Sequence, residues 1–217
     1  MKIIAFGNKR YKRVAHNWAL YLQRHRIENY TIYSLDQVIY DYLIKNKINT
    51  EYLPGWEGNF YCKWRERLNF TFELLNEGTS VLHSDLDAVW LKNPLGLLED
   101  YDIVAGTGTF PGAIYKKIGF TLCMGWMYFK PSTIVKELLQ NTLDRTPPNV
   151  FDDQREFNKE LFDNKLKYEK LKLKVLDQTI VSRKKRYNNT TYISHPCSYK
   201  GISREKFFKE INLWILK

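Results

Sequence analysis

Ser80-Val81-Leu82-His83-Ser84-Asp85-Leu86-Asp87-Ala88-Val89-Trp90-Leu91 is the stretch on which the reading of this chain turns. Ser80 to Ser84 reads as a buried strand, and it runs directly into two acids one residue apart. In extended backbone, side chains two residues apart point to the same side. The spacing therefore predicts that Asp85 and Asp87 project together from the C-terminal end of a strand, the end at which open α/β sheets bind ligands. Close carboxylates repel unless a cation sits between them, and burying them unpaired is costly. A hard divalent cation bridging to a diphosphate satisfies both groups. A surface turn with one acid capping a helix also accounts for three residues of D-x-D; the apolar residues on both sides favour the cation.

Outward from this segment, strands and helices alternate. Lys2 to Phe6 reads as a first strand ending at the turn pair Gly7-Asn8, and Val14, Trp18 and Leu22 give the apolar face of a helix. Tyr30 to Ser34 reads as a second strand, after which Asp36 is placed to cap a helix from Gln37 to Lys45. Phe60 to Asn76 is an amphipathic helix for which Gly78 suits the C-terminal cap. Further strands are expected at Asp102 to Ala105, within Phe120 to Phe129, and around Leu171 to Val175. The stretch Gly106 to Gly112 reads as a glycine-rich loop. Helices are expected at Thr133 to Leu143 and, capped by Asp152, at Asp153 to Phe162. The pattern predicts one α/β domain over residues 1–217 with a central, mostly parallel mixed sheet flanked by helices. Nothing after Lys217 marks a stop, so the chain could be a domain of a longer protein.

The 217 residues carry a formal charge of +10 and 15% aromatic side chains. No run of about 18 apolar residues is present, so no integral membrane segment is expected. The N-terminal apolar run is too short for a signal peptide. Cys62, Cys123 and Cys197 are far apart and odd in number, which argues against a disulfide framework and for reduced thiols in the cytoplasm. The positive balance points to a phosphate, nucleic-acid or acidic-membrane partner without separating them.

Ser84-Asp85-Leu86-Asp87-Ala88-Val89-Trp90-Leu91-Lys92-Asn93-Pro94 resembles the D-x-D segment of the GT-A-fold (Rossmann-like) nucleotide-diphospho-sugar transferases. Three further segments resemble the same family in the same order. Gly125-Trp126-Met127-Tyr128-Phe129 matches its glycine-aromatic strand, Asp153-Gln154 with Phe157-Asn158 matches its D-Q-x-x-F-N helix start, and His195 with Lys200 matches its late histidine and lysine. The resemblance covers roughly residues 1–205 in order, and is similar overall to glycosyltransferases encoded by large algal viruses (chloroviruses). That source would put the protein in the host cytoplasm. One departure is Cys123, which stands where the family usually has Asn and puts a contact to the donor sugar in doubt.

The resemblance implies a metal-dependent enzyme that moves a hexosyl or deoxyhexosyl group from a UDP-sugar to a hydroxyl of a glycan or glycoprotein acceptor. Asp85, Asp87 and His195 would hold the metal, with Mn2+ favoured over Mg2+ because it takes mixed oxygen and imidazole ligands. Asp153 would act at the anomeric carbon, as nucleophile, base or charge stabiliser, with Gln154 beside it. Lys63 or Arg67, one turn apart on the same helix face, and Lys200 would offset charge on the departing diphosphate. Asp36 would contact the uridine or ribose, in a pocket that the Gly7-Asn8-Lys9 loop also lines. Each of these residues also has a plainer reading: a hydrogen-bonded loop histidine, a helix-start acid, a solvated surface lysine. Two other classes compete. A basic nucleic-acid-binding protein would use the charge, the aromatics and the Arg183-Lys184-Lys185-Arg186 cluster, but no recognised motif supports it, and no nucleic-acid partner is expected. A metal phosphoesterase would need a second cluster of His and carboxylates that four histidines do not readily supply. A monomer is the default expectation.

Overall fold

In the computed structural model the chain runs, in order, through β1 (Lys2–Gly7), α1 (Lys12–Arg24), β2 (Tyr30–Ser34), α2 (Gln37–Lys45), β3 (Thr50–Tyr52) and α3 (Phe60–Asn76). There follow β4 (Val81–Ser84), β5 (Val89–Trp90), β6 (Ile103–Gly108), α4 (Gly112–Ile118), β7 (Thr121–Phe129), α5 (Thr133–Asp144) and α6 (Asp153–Asp163). The chain ends with β8 (Leu173–Leu176), β9 (Val181–Ser182), β10 (Ile193–Ser194) and α7 (Arg204–Glu210). The structure describes residues 1–54, 60–196 and 201–217, with residues 60–62 by their backbone alone. Lys200, and the side chains of Cys62 and Cys197, lie outside the described residues.

Hydrogen bonding orders seven strands as β3-β2-β1-β4-β7-β6-β8 and three more as β5-β10-β9. The pairs β1–β2, β2–β3 and β6–β8 are parallel and β6–β7 is antiparallel, which makes the larger sheet mixed and mostly parallel as expected. By internal packing the chain forms two compact units: Met1–Lys2, Trp56–His83 and Leu97–Leu176; and Ile3–Gly55, Ser84–Gly96 and Asp177–Lys217.

The second unit is built on β1 and β2, whose Ile3, Ile4, Ala5, Ile32 and Tyr33 are buried. Helix α1 buries Val14, Ala15, Trp18, Ala19 and Leu22, the 3.6-residue stripe visible in the sequence. Asp36 caps α2, as expected, accepting from the Ile39 amide at 3.1 Å. The C-terminal segment is tied to α1 by Asn17, which donates to the Leu213 carbonyl and accepts from the Ile215 amide. Phe207 and Phe208 of α7 are fully buried.

The first unit packs α5 against α6 and α6 against β7, with Trp126, Phe129, Leu138, Leu139, Phe151 and Phe157 fully buried. Gly78, at φ 82°, ends α3 as predicted: Thr79 N–H bonds Leu74 C=O and Gly78 N–H bonds Leu75 C=O. The expected glycine-rich loop is corrected. Gly106, Thr107 and Gly108 are strand residues of β6, held by Cys123, Leu122 and Thr121 of β7, and Gly112 opens a helix. Ladder bonds on both sides of Gly106 set its conformation in spite of the missing side chain.

Candidate active site

The D-x-D acids do not sit on extended backbone. Ser84 ends β4, and Asp85 to Asp87 form a turn closed by the Ala88 N–H on the Asp85 carbonyl at 2.9 Å. Strand alternation is therefore not what aligns the two carboxylates; the turn is. Its middle residue, Leu86, points into the core and is 1% exposed. Gly7 permits this: a Cβ there would stand 2.7 Å from Leu86 Cδ1 and 3.0 Å from Ile39 Cδ1.

His195 is brought to the turn by sheet pairing across about half the chain. Strand β5 leaves the D-x-D and β10 leads into His195; they pair antiparallel with Ser194 opposite Val89 and Ile193 opposite Trp90. The His195 N–H also bonds the Ser182 carbonyl at 2.8 Å. Beneath the turn, Ser84 Oγ accepts from the indole N–H groups of Trp18 at 3.3 Å and Trp90 at 3.1 Å, and the two indoles meet edge to face. This aromatic floor, fully buried, fixes the end of β4 from which the acids depart.

His195 Nε2 stands 3.4 Å from Asp87 Oδ1 and 3.6 Å from Asp85 Oδ2. The imidazole thus faces both carboxylates. One ligand atom from each of the three residues lies within 4.8 Å of the others. Two carboxylate oxygens and an imidazole nitrogen form a donor set that fits a divalent cation such as Mn2+. The opposite face of Asp87 is occupied: Arg204 Nε bonds its Oδ2 at 2.6 Å, and the Arg204 guanidinium lies 4.6 Å from the Tyr11 ring centre. Burial pushes the Asp87 carboxyl up, but His195 and Arg204 outweigh burial and hold it well below the usual carboxylate range. Asp87 is thus ionised at neutral pH, as a metal ligand must be.

Asp36 spends an oxygen on each of two backbone amides, Ile39 at 3.1 Å and Lys9 at 2.7 Å, so it fixes the loop after β1 as well as the start of α2.

In the other unit, Asp152 does the capping, accepting from the Arg155 amide at 2.8 Å. Asp153 is 2% exposed. Its Oδ1 accepts from the Gln154 amide, and its Oδ2 takes two bonds from Arg67, Nε at 2.8 Å and Nη2. Arg67 is therefore engaged with Asp153. Lys63, one turn earlier in α3, is half-buried. Gln154 reaches back to β7. Between Ala105 and Gly106 the β6–β7 register jumps from Met127 to Cys123, so Met124, Gly125 and Trp126 leave the ladder as a bulge. Gln154 Oε1 accepts from the freed Met124 N–H at 3.2 Å, His83 Nδ1 bonds its carbonyl at 2.8 Å, and Gln154 Nε2 donates to the Phe110 carbonyl.

Sequence reasoning missed Arg204, the Ser84–Trp18–Trp90 floor and the bulge. Ser203, which caps α7, announces a helix start, but no local signal ties its first residue to Asp87.

A family model described as nucleotide-diphospho-sugar transferase matches residues 25–201, well over half the chain. A search of curated proteins gave no significant match. Among solved structures, the galactosyltransferase LgtC, determined with donor and acceptor sugar analogues, superposes with a TM-score of 0.58 at 12% identity over 100% of this chain and 97% of its own. The glycosyltransferase GlyE of Streptococcus pneumoniae superposes with a TM-score of 0.60 at 14% identity, over 100% of this chain and 60% of its own. The bifunctional glycosyltransferase WbbM gives 0.60 at 12% identity, over 99% of this chain and 50% of its own. Likeness at such identities speaks to the fold, which is the GT-A fold that the sequence led us to expect.

Proposed function

The chain belongs to the nucleotide-diphospho-sugar transferase family, and we propose that within it the protein is a metal-dependent transferase using a UDP-sugar and a glycan hydroxyl. The observation that carries this reading is the convergence of Asp85, Asp87 and His195 on one point from segments about 110 residues apart. A bound divalent cation would neutralise the diphosphate and make it a better leaving group.

The chain's own residues supply the rest. Arg204 fixes the orientation of Asp87 through Oδ2 and leaves Oδ1 turned toward His195, the role played by groups just outside a metal's ligands. Asp36 and the backbone it caps shape the end of β1 and β2, where the nucleoside would lie. In transfer, the bond from the anomeric carbon to the diphosphate breaks and leaves the nucleoside diphosphate. The acceptor oxygen bonds that carbon and loses its proton. Asp153, paired with Arg67, is the group we assign to the developing positive charge at the sugar. Lys63 and Lys200 are assigned to the phosphates.

Thermal shifts with UDP, GDP, CDP and ADP, each with and without Mn2+, test the reading. UDP with metal should stabilise the protein most, and Asp87→Asn should remove that shift. Equal shifts from all four nucleotides, or shifts indifferent to metal, would overturn the donor and the metal assignment respectively.

A further inference from the structure

We propose that the cleft between the start of α1 and the start of α7 binds a phosphate group other than the donor's diphosphate, that of a phosphorylated sugar acceptor. The proposal deepens the transfer reading above and rests on it.

The cleft has a volume of about 280 Å3, and its walls carry Lys9, Arg10, Lys12, Arg13 and Arg204, with Glu205 as the one acid. Every wall residue belongs to the same compact unit as the Asp85–Asp87–His195 cluster. Small-molecule sites occupy roughly 300–1,000 Å3, so the space suits a sugar phosphate better than a bare ion.

The charges in this cleft are not balanced by the protein. Glu205 is already taken, by Arg13 Nε at 2.9 Å and Lys209 Nζ at 2.7 Å. Arg204 faces Asp87. Lys9, Arg10 and Lys12 form no ion pair among the described residues. They also stand where cations are least welcome: neither the 3-10 turn Lys9–Tyr11 nor the first turn of α1 contains an acid, and the positive end of a helix dipole repels Lys12 and Arg13. Local rules broken without internal compensation are expected at functional sites. A neutral glycan hydroxyl could not offset this field. A phosphate does, and arginine's planar fork matches its oxygens.

The donor's diphosphate does not account for it. Its charge belongs at the metal ligands, and none of Asp85, Asp87 or His195 lines the cleft. Arg204 lines the cleft while bonded to Asp87, and Lys9 lines it from the loop that Asp36 holds, so an anion held there lies beside the proposed donor site.

Isothermal titration of the intact chain with glucose 6-phosphate, with glucose as the neutral control, and separately with UDP plus Mn2+, decides the matter. The wild type should bind glucose 6-phosphate with an affinity that falls steeply with salt, and glucose should not bind. In the double variant Arg10→Gln/Lys12→Gln, glucose 6-phosphate affinity should drop at least ten-fold while UDP–Mn2+ affinity stays within two-fold. An unchanged melting temperature would show that the variant folds; should it not fold, the single variant Arg10→Lys, which keeps charge but removes the fork, should weaken glucose 6-phosphate by several-fold. The proposal fails if the wild type does not bind glucose 6-phosphate, if glucose binds as well, or if the variant loses UDP–Mn2+ in parallel, which would make the cleft part of the donor site. Absent UDP binding with intact glucose 6-phosphate binding would instead strike at the donor assignment.

Discussion

Asp87 and Asp153 are both nearly buried carboxylates, and the protein treats them in opposite ways. Asp153 has its counter-charge built in: Arg67 places two bonds on one oxygen and is itself only 14% exposed. Asp87 is met on one side by Arg204, whose side chain is 36% exposed, and on the other by an imidazole at 3.4 Å. The first is a closed ion pair, neutral before any ligand arrives. The second lies with Asp85 and His195, whose ligand atoms all fall within 4.8 Å of one another, beside Arg204. A buried ion pair contributes little over an apolar pair, but losing one partner is severe; an exposed pair contributes little either way. The two acids therefore differ in setting: Asp153 is closed in with its arginine, whereas Asp87 shares its surroundings with Asp85 and His195.

The largest effect that this contrast predicts is at Arg67. Arg67→Ala leaves Asp153 buried and unpaired and should cost about 3–5 kcal/mol in urea unfolding. Arg204→Ala should cost less than Arg67→Ala, because Arg204 is itself 36% exposed and Asp87 retains His195. Comparable losses in the two variants would break the distinction.

Next in size is a change under the D-x-D turn. Gly7→Ala puts a methyl against the buried tips of Leu86 and Ile39, an overpacking that costs about 1–3 kcal/mol. Because Leu86 lies between Asp85 and Asp87, which we propose hold the metal, the same variant should weaken Mn2+ binding several-fold by titration. Unaltered Mn2+ affinity in Gly7→Ala would mean that the turn does not depend on that contact.

Much of this architecture was legible in the sequence because it rests on local rules. The stripe of Val14, Trp18 and Leu22, the caps at Asp36, Gly78 and Asp152, and the strands β2 and β4 follow from periodicity and from side chains acting on neighbouring amides. The acids at 85 and 87 stood out for the same reason. What could not be read was long-range. The β5–β10 register that carries His195 to the turn joins residues about 100 positions apart. The pairings Arg67–Asp153 and Arg204–Asp87 span 86 and 117 positions, and every arginine looks alike in a sequence. Gly106 and Gly108 misled because glycine reports freedom, whereas their neighbours in β7 removed it.

The smallest effect comes from a third acid, Glu160, which lies between the two extremes and sharpens the comparison. Its carboxylate accepts from the Tyr168 hydroxyl at 2.7 Å, Arg145 Nη1 at 2.9 Å and the Asn164 amide at 3.0 Å. Burial pushes its pKa up, but the Tyr168 bond, the Arg145 bond and charge, and the Asn164 bond together bring it below the ordinary glutamate value. A group whose pKa is depressed in the folded state adds stability that is complete above its unfolded value, about 4.3. That contribution disappears as pH falls through the lower folded value. The melting temperature should therefore decline more steeply below about pH 4.3 in the wild type than in Glu160→Gln. The variant should start lower at neutral pH, since it loses the Arg145 charge pairing. Asp87, also held low, is the same in both proteins, so only the difference between the two curves reports on Glu160. Parallel curves would show that Glu160 is neutralised no better when folded than when unfolded, and that among these acids a closed pair needs a fork of the Arg67 kind.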